Sequence, residues 1–463
     1  MLPDDILLVI FAFYLDKPFD GYQARSRIES WQSLVHVCRR WRSVVFGSPR
    51  RLNLRLLCTP ETPARMLDVW PDFPLFIWSY VDLPTEGVDN IIAVLERGSN
   101  RVSQIDLRGI PSSHLDKVLA VMQIPLPELG YLLFESHDEM VTVLPDLFLG
   151  GSASRLHFLS LDRIPFPGLP KLVLAAAHLD TLCLDNIPHS GYFSPEAIVA
   201  ALSTLTSLEL LWLKFQSPRS LPDQTSRRLP PQTRSVLPVL TFFEFKGVSE
   251  YLDDLVACVD TPLLSKLYIT LFNQIVFDTL QFTRFINRTP TLKALEQARL
   301  VFGEDAAGVK LSSQTSRQRE LIVTIGCIEL DWQVSSLEQV CTSSLPPLSM
   351  LEDLYIYEVP HWQRHWQDNI ENTLWLELLH PFATVKNLYL SEQVARRILP
   401  ALQELVGGMT TEVLPILQNI FLEQLQPLGP VQEVIEKFVA TRQVTRHPIV
   451  VSRWDRDGSW IRY

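Results

Sequence analysis

The chain has 463 residues, of which 47% are hydrophobic and 20% are charged, a balance typical of a folded globular protein. Its formal net charge is −11, which argues against nucleic acid or an anionic membrane as a partner, because phosphate groups bind to basic faces. The six cysteines include no C-x-x-C pair, so neither a zinc knuckle nor a redox motif is predicted.

The first apolar segment, 6–15, reads ILLVIFAFYL. Asp4 and Asp5 precede it, where a signal peptide carries basic residues, and the segment is shorter than the roughly 20 residues of a membrane span. We therefore expect a protein of the cytoplasm or nucleus with no membrane partner. Leu2-Pro3-Asp4-Asp5 predicts a helix start, because proline suits the first turn and acidic side chains complement the helix dipole.

A second helix is predicted from Trp31, after a polar stretch at 16–30. Ser30 is the expected N-cap, and the Gly-Ser-Pro sequence at 47–49 ends the helix. Its apolar residues recur at three- and four-residue steps, which predicts one buried face. These residues are Trp31, Leu34, Val37, Cys38 and Trp41.

The two predicted helices resemble the two halves of an F-box. LPDDILLVIF provides a Leu-Pro entry and an apolar first helix, and WQSLVHVCRRWRSVVFGSP provides a Val-Cys-Arg-Arg-Trp-Arg signature. More narrowly, the segment resembles the F-box proteins that filamentous basidiomycete fungi carry in large numbers. The linker between the two halves is several residues longer than the usual F-box turn.

This resemblance implies a three-helix F-box over 1–50 that binds the Skp adaptor and, through it, a cullin–RING ligase. By position, it assigns adaptor contacts to Leu2, Pro3, Ile6, Leu7, Ile10, Leu34, Val37 and Trp41. The same side chains could instead form an internal core of the three helices, since apolar residues at helical spacing usually face a core.

The remaining residues, 51–463, are periodic. An apolar residue, two variable residues, an apolar residue, one variable residue and a further apolar residue recur at steps of 23 to 34 residues. The pattern occupies 102–107, 129–134, 156–161, 179–184, 208–213, 240–245, 264–269, 295–300, 325–330, 351–356, 385–390 and 417–422. A further strand of the series is expected at 51–56. These steps lie around the range of leucine-rich repeats, about 20–29 residues.

The periodicity predicts an α/β solenoid: an irregular leucine-rich-repeat horseshoe with parallel strands on the concave face and helices outside. Helices are expected at 85–96 and 251–259, and Ser194 is expected to cap a helix over 197–202. A capping helix at 431–442 and a closing strand at 449–454 are expected to cover the C-terminal end of the solenoid.

Alternate strand positions are expected to project from the concave face. Aromatic residues there would suit a protein target, although aromatics are favoured in strands and could simply pack on one another. Lys214, Lys246, Lys266 and Arg299 would form a basic centre between acidic flanks, suited to an acidic or phosphorylated segment. The other candidate target-binding residues are Tyr131, Phe158, Trp212, Phe242, Tyr268, Tyr355 and Tyr389.

The sequence contains no motif of catalytic quality. Neither G-x-G-x-x-G nor G-x-x-x-x-G-K occurs, and His361 and His365 lack the glutamate of a metalloprotease helix. We therefore expect no enzyme, cofactor or metal site. The leading interpretation is the substrate-recognition subunit of an SCF-type E3 ubiquitin ligase, which holds a protein target for ubiquitin-dependent degradation. The alternative is a repeat-based protein-binding scaffold that acts independently of ubiquitination.

Overall fold

The computed structural model divides the chain into two compact units, Met1–Leu208 and Glu209–Tyr463, and each is described by itself. No helix among the described residues combines the length and apolar character needed to cross a bilayer. The structure describes residues 2–15, 30–62, 64–80, 85–137, 142–167, 169–218, 234–273, 279–293, 295–313, 319–345, 348, 351–359, 370–404, 413–423, 435–440 and 448–454.

The first unit begins with helices and continues as alternating strands and helices. Its described helices are α1 (Asp4–Leu15), α2 (Trp31–Val35), α3 (Arg39–Gly47), α4 (Thr85–Gly98), α5 (Ser112–Val121), α6 (Leu169–Ala175) and α7 (Pro195–Leu202). Its strands are β1 (Leu56–Cys58), β2 (Leu75–Tyr80), β3 (Val102–Ile110), β4 (Tyr131–Ser136), β5 (Phe158–Asp162) and β6 (Thr181–Ile187). Each strand from β1 to β5 pairs in parallel with the next.

The predicted second helix is broken in the structure. It ends at Val35 and resumes at Arg39, because Cys38 adopts an extended backbone and its Sγ accepts a hydrogen bond from the backbone N–H of Trp41 at 3.4 Å. Ser30 occupies the expected N-cap position of α2, but its side chain makes no capping hydrogen bond. Cysteine is the actual N-cap of the second half.

Trp31 connects the N-terminal helices to the first strands. Its indole is fully buried, lies edge-on to the rings of Trp70 and Phe73, and donates a hydrogen bond to the backbone oxygen of Arg55 at 3.0 Å. The expected strand at 51–56 begins only at its last residue, since 51–53 forms a turn.

The second unit has the same alternation of strands and helices. Its described helices are α8 (Ser249–Ala257), α9 (Leu280–Arg288), α10 (Leu330–Gln339), α11 (Asn372–Leu379), α12 (Glu392–Glu404) and a helical segment at 435–440. Its strands are β7 (Leu210–Phe215), β8 (Ser235–Val236), β9 (Phe242–Gly247), β10 (Val259–Asp260), β11 (Lys266–Leu271), β12 (Gln297–Phe302), β13 (Ala306–Ser312), β14 (Glu320–Gly326), β15 (Asp353–Glu358), β16 (Asn387–Leu390), β17 (Asn419–Glu423) and β18 (Val450–Trp454).

The sheet of the second unit runs in the order β7-β9-β11-β14-β13-β12-β15-β16-β17-β18, and β8 pairs separately with β10. β13 is antiparallel to both β12 and β14, while the other described pairs are parallel. The expectation of parallel strands throughout is therefore wrong at this hairpin. The predicted strand at 325–330 is also wrong, because β14 ends at Gly326 and α10 begins at Leu330.

The apolar residues of the repeat form the core. In the repeat at 264–269, for example, Leu264, Leu267 and Ile269 are buried, and the strand begins two residues after the first of them. Neighbouring helices in each unit, such as α8 and α9, pack beside one another. Repeated strands with packed helices make each unit an α/β solenoid.

Several predicted element ends are confirmed. The Ser194 side chain accepts a hydrogen bond from the backbone N–H of Ala197 at 3.3 Å, with proline in the first turn of α7. The closing strand at 449–454 is β18. Of the expected closing helix at 431–442, the described residues 435–440 are helical.

Candidate protein-interaction surfaces

The outer side of α1 presents an apolar surface to solvent. We define the α1 surface as Leu2, Ile6, Ile10 and Phe13, whose exposed fractions are 52%, 46%, 46% and 78%. Val37, in the turn between α2 and α3, is 59% exposed. Pro3 is also exposed. An exposed patch of large apolar side chains is a common mark of a docking site for another protein.

Contacts with α3 set the orientation of α1. The Arg40 guanidinium donates to an Asp4 carboxylate oxygen at 2.7 Å and also bonds the backbone oxygen of Leu2. On the inner side, Phe11 is fully buried and its ring lies 4.7 Å from that of Trp41. These contacts hold the inner face of α1 against the helices and leave the α1 surface uncovered by the described residues.

The eight predicted adaptor contacts therefore fall into two groups. Leu2, Pro3, Ile6, Ile10 and Val37 are exposed, whereas Leu7 and Leu34 are 5% and 6% exposed and pack inside the helices. Trp41 is half-buried against Phe11. The prediction that Leu7 and Leu34 contact the adaptor directly disagrees with their burial. They instead support the helices that carry the surface.

The second unit has a sheet face whose side chains are only half-buried, which we call the open face. Strand pairing aligns one residue from each strand into a continuous row across it. In strand order, this middle row is Trp212, Glu244, Tyr268, Ile322, Lys310, Arg299, Tyr355, Tyr389, Phe421 and Ser452. The predicted target-binding residues of this unit lie in the middle row or within two positions of it along a strand.

Two aromatic clusters lie on the open face. In the first, the Phe242 ring lies 4.8 Å from Trp212 and 5.1 Å from Tyr268, measured between centroids. The second is a stack in which Tyr389 lies 4.1 Å from Tyr355 and 4.5 Å from Phe421, with ring planes within 10° of parallel. Trp454 lies beside both tyrosines of the stack, at 5.8 and 5.7 Å.

The aromatic residues thus pack on one another, as one of the two expectations has it, and remain partly accessible. Their role in binding a target stays a prediction. Tyr131 and Phe158 on the first unit behave alike, with stacked rings 4.2 Å apart.

Cationic side chains occupy the open face, two of them between the aromatic clusters and two on the strands of the first cluster. The Lys310 ammonium donates to Glu320 at 2.7 Å, and the Arg299 guanidinium lies over the Tyr355 ring at 5.2 Å. The Arg299 Nε is buried and has no hydrogen-bond partner among the described residues. Lys246 lies 5.8 Å over the Phe272 ring. Lys266 is half-buried on β11, where the register aligns it with Phe242.

The predicted basic centre is smaller than the sequence indicated. Lys214 forms a salt bridge with Glu244 at 2.9 Å, so these two charges offset each other. Glu320, which the sequence analysis did not consider, is aligned with Lys266 in the register and accepts the Lys310 hydrogen bond. The cations that remain in excess are Lys246, Lys266 and Arg299.

A row of polar side chains runs beside the middle row on β12, β15, β16 and β17. The Asn387 amide donates to Asp353 at 2.7 Å, and the Asn419 amide donates to Asn387 at 2.8 Å. Gln297 lies 3.5 Å from the other Asp353 oxygen. These bonds fix the relative register of the strands that carry the aromatic stack.

Burial and neighbouring groups raise the pKa of strand tyrosines in both units above its ordinary value. Burial and the hydrogen bond that Tyr268 donates to Glu320 raise the pKa of Tyr268. Burial, then the neighbouring Tyr389, raises the pKa of Tyr355. On the first unit, burial and Asp106 raise the pKa of Tyr131 to about 12. All three hydroxyls are therefore hydrogen-bond donors at neutral pH.

Burial opposes ionisation of the Glu320 carboxyl, but several neighbours outweigh it. Hydrogen bonds from Lys310 and Tyr268, together with the charges of Lys310 and Lys266, lower the pKa of Glu320. Its carboxylate is thus held in the charged form at the centre of the open face.

Besides Glu320, sequence reasoning missed three contributors to the open face. Trp454 was predicted only as part of a closing strand, Lys310 lies on the unpredicted β13, and the amide row has no apolar signal. The sequence signal for the polar row was its spacing from the tyrosines: Asp-x-Tyr on β15 and Asn-x-Tyr on β16. The described residues contain no group of three or more metal-ligating side chains, and His361 and His365 lie outside the described residues.

No protein-family model matches the chain, and no curated protein matches it. Among solved structures, the chain is similar to the leucine-rich repeat-containing protein LegL7 from Legionella pneumophila, at 12% sequence identity and a TM-score of 0.27. That alignment covers 83% of this chain and 97% of the other. A superposition this distant carries no argument, so the α/β solenoid rests on the strand pairing and helix packing of the chain itself.

Proposed function

We propose that the chain is the substrate-recognition subunit of an SCF-type cullin–RING E3 ubiquitin ligase. In this role the α1 surface docks the Skp adaptor, and the solenoid binds a protein target. The target is then modified by the partner subunits, so the chain itself performs no chemistry. The F-box resemblance of the first fifty residues suggests the partner.

The observation that supports the proposal is the exposed α1 surface. A helix that served only as internal packing would bury Leu2, Ile6 and Ile10, yet each is about half-exposed. Burying a large apolar side chain on association stabilises a complex by roughly 1.5–3 kcal/mol. Several such residues on one helix provide the centre of an interface, where a few buried residues dominate binding.

Co-purification with the Skp adaptor tests this role. We expect the wild-type chain to retain the adaptor and the Leu2→Ala/Pro3→Ala/Ile6→Ala variant to lose it, because that variant removes three exposed apolar groups without touching the buried side of α1. A matched control is Leu263→Ala/Leu280→Ala, which truncates two residues that are 52% and 54% exposed on the second unit. The control should bind as the wild type does.

Failure of the folded wild-type chain to bind the adaptor would reject the receptor role. The alternative, a repeat-based scaffold acting independently of ubiquitination, would then remain.

A further inference from the structure

The open face of the second unit has an arrangement that selects one kind of target. Its two aromatic clusters, on β7–β11 and on β15–β18, are separated by β14, β13 and β12. These strands carry Arg299, Lys310 and the Glu320 carboxylate that Lys310 contacts, and Lys246 and Lys266 lie next to them on the strands of the first cluster. We propose that this face binds an extended acidic peptide segment of a partner protein, with apolar residues on both sides of the acidic residues. This inference rests on the proposed function, since it specifies the chemistry of the target.

Charge complementarity argues for an acidic segment. On the open face, Arg299 and Lys310 lie between the clusters, and Lys246 and Lys266 lie on the strands of the first cluster. With the carboxylates of Glu320 and Asp353, these six charges leave an excess of two positive charges. Among the described residues, Lys246, Lys266 and Arg299 form no salt bridge. This local excess stands on a chain of net charge −11.

Arg299 is the specific anchor of the arrangement. Its guanidinium is held on the Tyr355 ring at 5.2 Å, and its buried Nε has no hydrogen-bond partner among the described residues. A carboxylate accepts two parallel hydrogen bonds from a guanidinium. Arg299 as a whole is only half-buried, so a carboxylate of the bound segment would meet the guanidinium from its accessible side, while the buried Nε stays out of its reach.

The spacing of the clusters sets the length of the segment. Tyr268 on β11 and Tyr355 on β15 are four strand intervals apart, which is about 19 Å at roughly 4.8 Å per interval. An extended chain spans that distance in about six residues. The expected motif therefore has two apolar residues about six positions apart, with acidic residues between them.

The rings favour a peptide over single-stranded nucleic acid. A base stacks on a free aromatic face, but Tyr355, Tyr389 and Phe421 cover one another's faces, and Arg299 lies over Tyr355. Side chains stand roughly perpendicular to a sheet, so such stacked rings present edges outward. Ring edges carry partial positive charge and attract anionic groups.

Fluorescence anisotropy with the full chain and no adaptor tests the proposal. The probe is a labelled peptide of about 12 residues. Two tryptophans flank a run of glutamates and lie about six positions apart, the interval that the strand spacing predicts. Matched probes replace glutamate with glutamine or lysine, and a uridine oligonucleotide of similar length serves as the nucleic-acid probe. We expect the acidic peptide to bind at least about tenfold more tightly than the others.

Charge variants assign the binding to the open face. Lys246→Gln/Lys266→Gln removes the charge excess, so it should weaken binding of the acidic peptide about tenfold. The matched control, Arg284→Gln/Lys293→Gln, makes the same charge change at two exposed positions off the strands and should leave binding unchanged. Adaptor binding should be the same in both variants, which separates this test from that of the receptor role.

Three results would overturn the inference: no binding of the acidic peptide by the wild type, equal binding of the glutamine or lysine peptide, or unchanged binding in Lys246→Gln/Lys266→Gln. Preference for the oligonucleotide would likewise overturn it. Each of these results leaves adaptor binding as a separate outcome.

Discussion

Single residues determine which side of α1 is available for docking. Ile6 and Ile10 face solvent, while Leu7 and Phe11, one position further along, are buried. All four are apolar and lie within one short helix, so the sequence alone did not separate contact residues from packing residues. The position of α3 decides which of these residues are buried. The Arg40–Asp4 bonds and the Phe11–Trp41 contact fix that position.

The single residue Glu320 makes the stability of the chain depend on pH. A carboxyl whose pKa is lowered by folding stabilises the folded state. This contribution is complete above the ordinary pKa of 4.5 and is lost as the pH falls through the lower pKa of the folded state. Glu320→Gln should therefore destabilise the chain by about 1 kcal/mol at neutral pH, and the difference from wild type should shrink below pH ~4.

Urea unfolding at neutral and acidic pH measures this difference. Glu377→Gln on α11, at an exposed position, is the control and should show little effect at either pH. A deficit in Glu320→Gln that stays constant down to acidic pH would contradict the assigned role of its lysine and tyrosine partners.

At the scale of elements, the two sides of the strands carry different energetic roles. Phe245 on β9 points into the core, where it is fully buried against Phe215 and Tyr251. Phe421 stands at the end of the open-face stack on β17 and contacts Tyr389. The first residue contributes to folding, and the second shapes a surface.

Alanine substitution should separate these two roles. Phe245→Ala should lower the free energy of unfolding by about 3–5 kcal/mol, as for a fully buried aromatic residue, whereas Phe421→Ala should lower it by about 1 kcal/mol, the value of one ring contact. Denaturant unfolding of both variants provides the measurement. Equal losses would show that the open-face stack is part of the core.

The strand series shows how far the sequence predicts the elements. Eleven of the twelve patterned segments share four or more residues with a strand, and ten of those strands begin two residues after the pattern does. In these ten, the first apolar residue of the pattern lies buried before the strand. The twelfth, at 325–330, joins Ile325 at the end of β14 to Leu330 in α10, and its middle residue Ile328 is exposed.

The β13 hairpin could not be predicted from the same pattern. Its sequence, AAGVKLS, has no leucine triplet, and its pairing depends on contacts with both β12 and β14. At Gly308 a side chain would meet the Thr324 hydroxyl and the Val323 backbone oxygen, each at 3.3 Å. The close approach of the strands here explains why a glycine interrupts an apolar strand.

The sequence predicted many of the residues on the candidate surfaces but not how they are arranged. The alternation of buried and exposed positions identified Tyr355 and Tyr389, because period two assigns side chains to faces without any tertiary contact. Their stacking, the position of Arg299 beside them and the return of Trp454 to the same cluster depend on register across strands that are distant in sequence. Periodicity within one strand carries no information about that register.

At the scale of the whole molecule, the two surfaces have contrasting chemistry. The α1 surface is apolar and suits an interface in which burial provides most of the binding energy. The open face combines cations and aromatic rings, so its binding should weaken as salt is added. A receptor needs two such independent sites, one for its adaptor and one for its target.

Isothermal titration calorimetry with the purified Skp adaptor most directly tests the central claim, that the exposed side of α1 is the adaptor-docking surface. We predict one-to-one binding with a negative heat-capacity change, the mark of apolar burial. Binding should be lost in Ile10→Asp and retained in Leu174→Asp, which makes the same change at a position of α6 that is 58% exposed. Unchanged binding by folded Ile10→Asp, or no binding by the wild-type chain, would contradict the account.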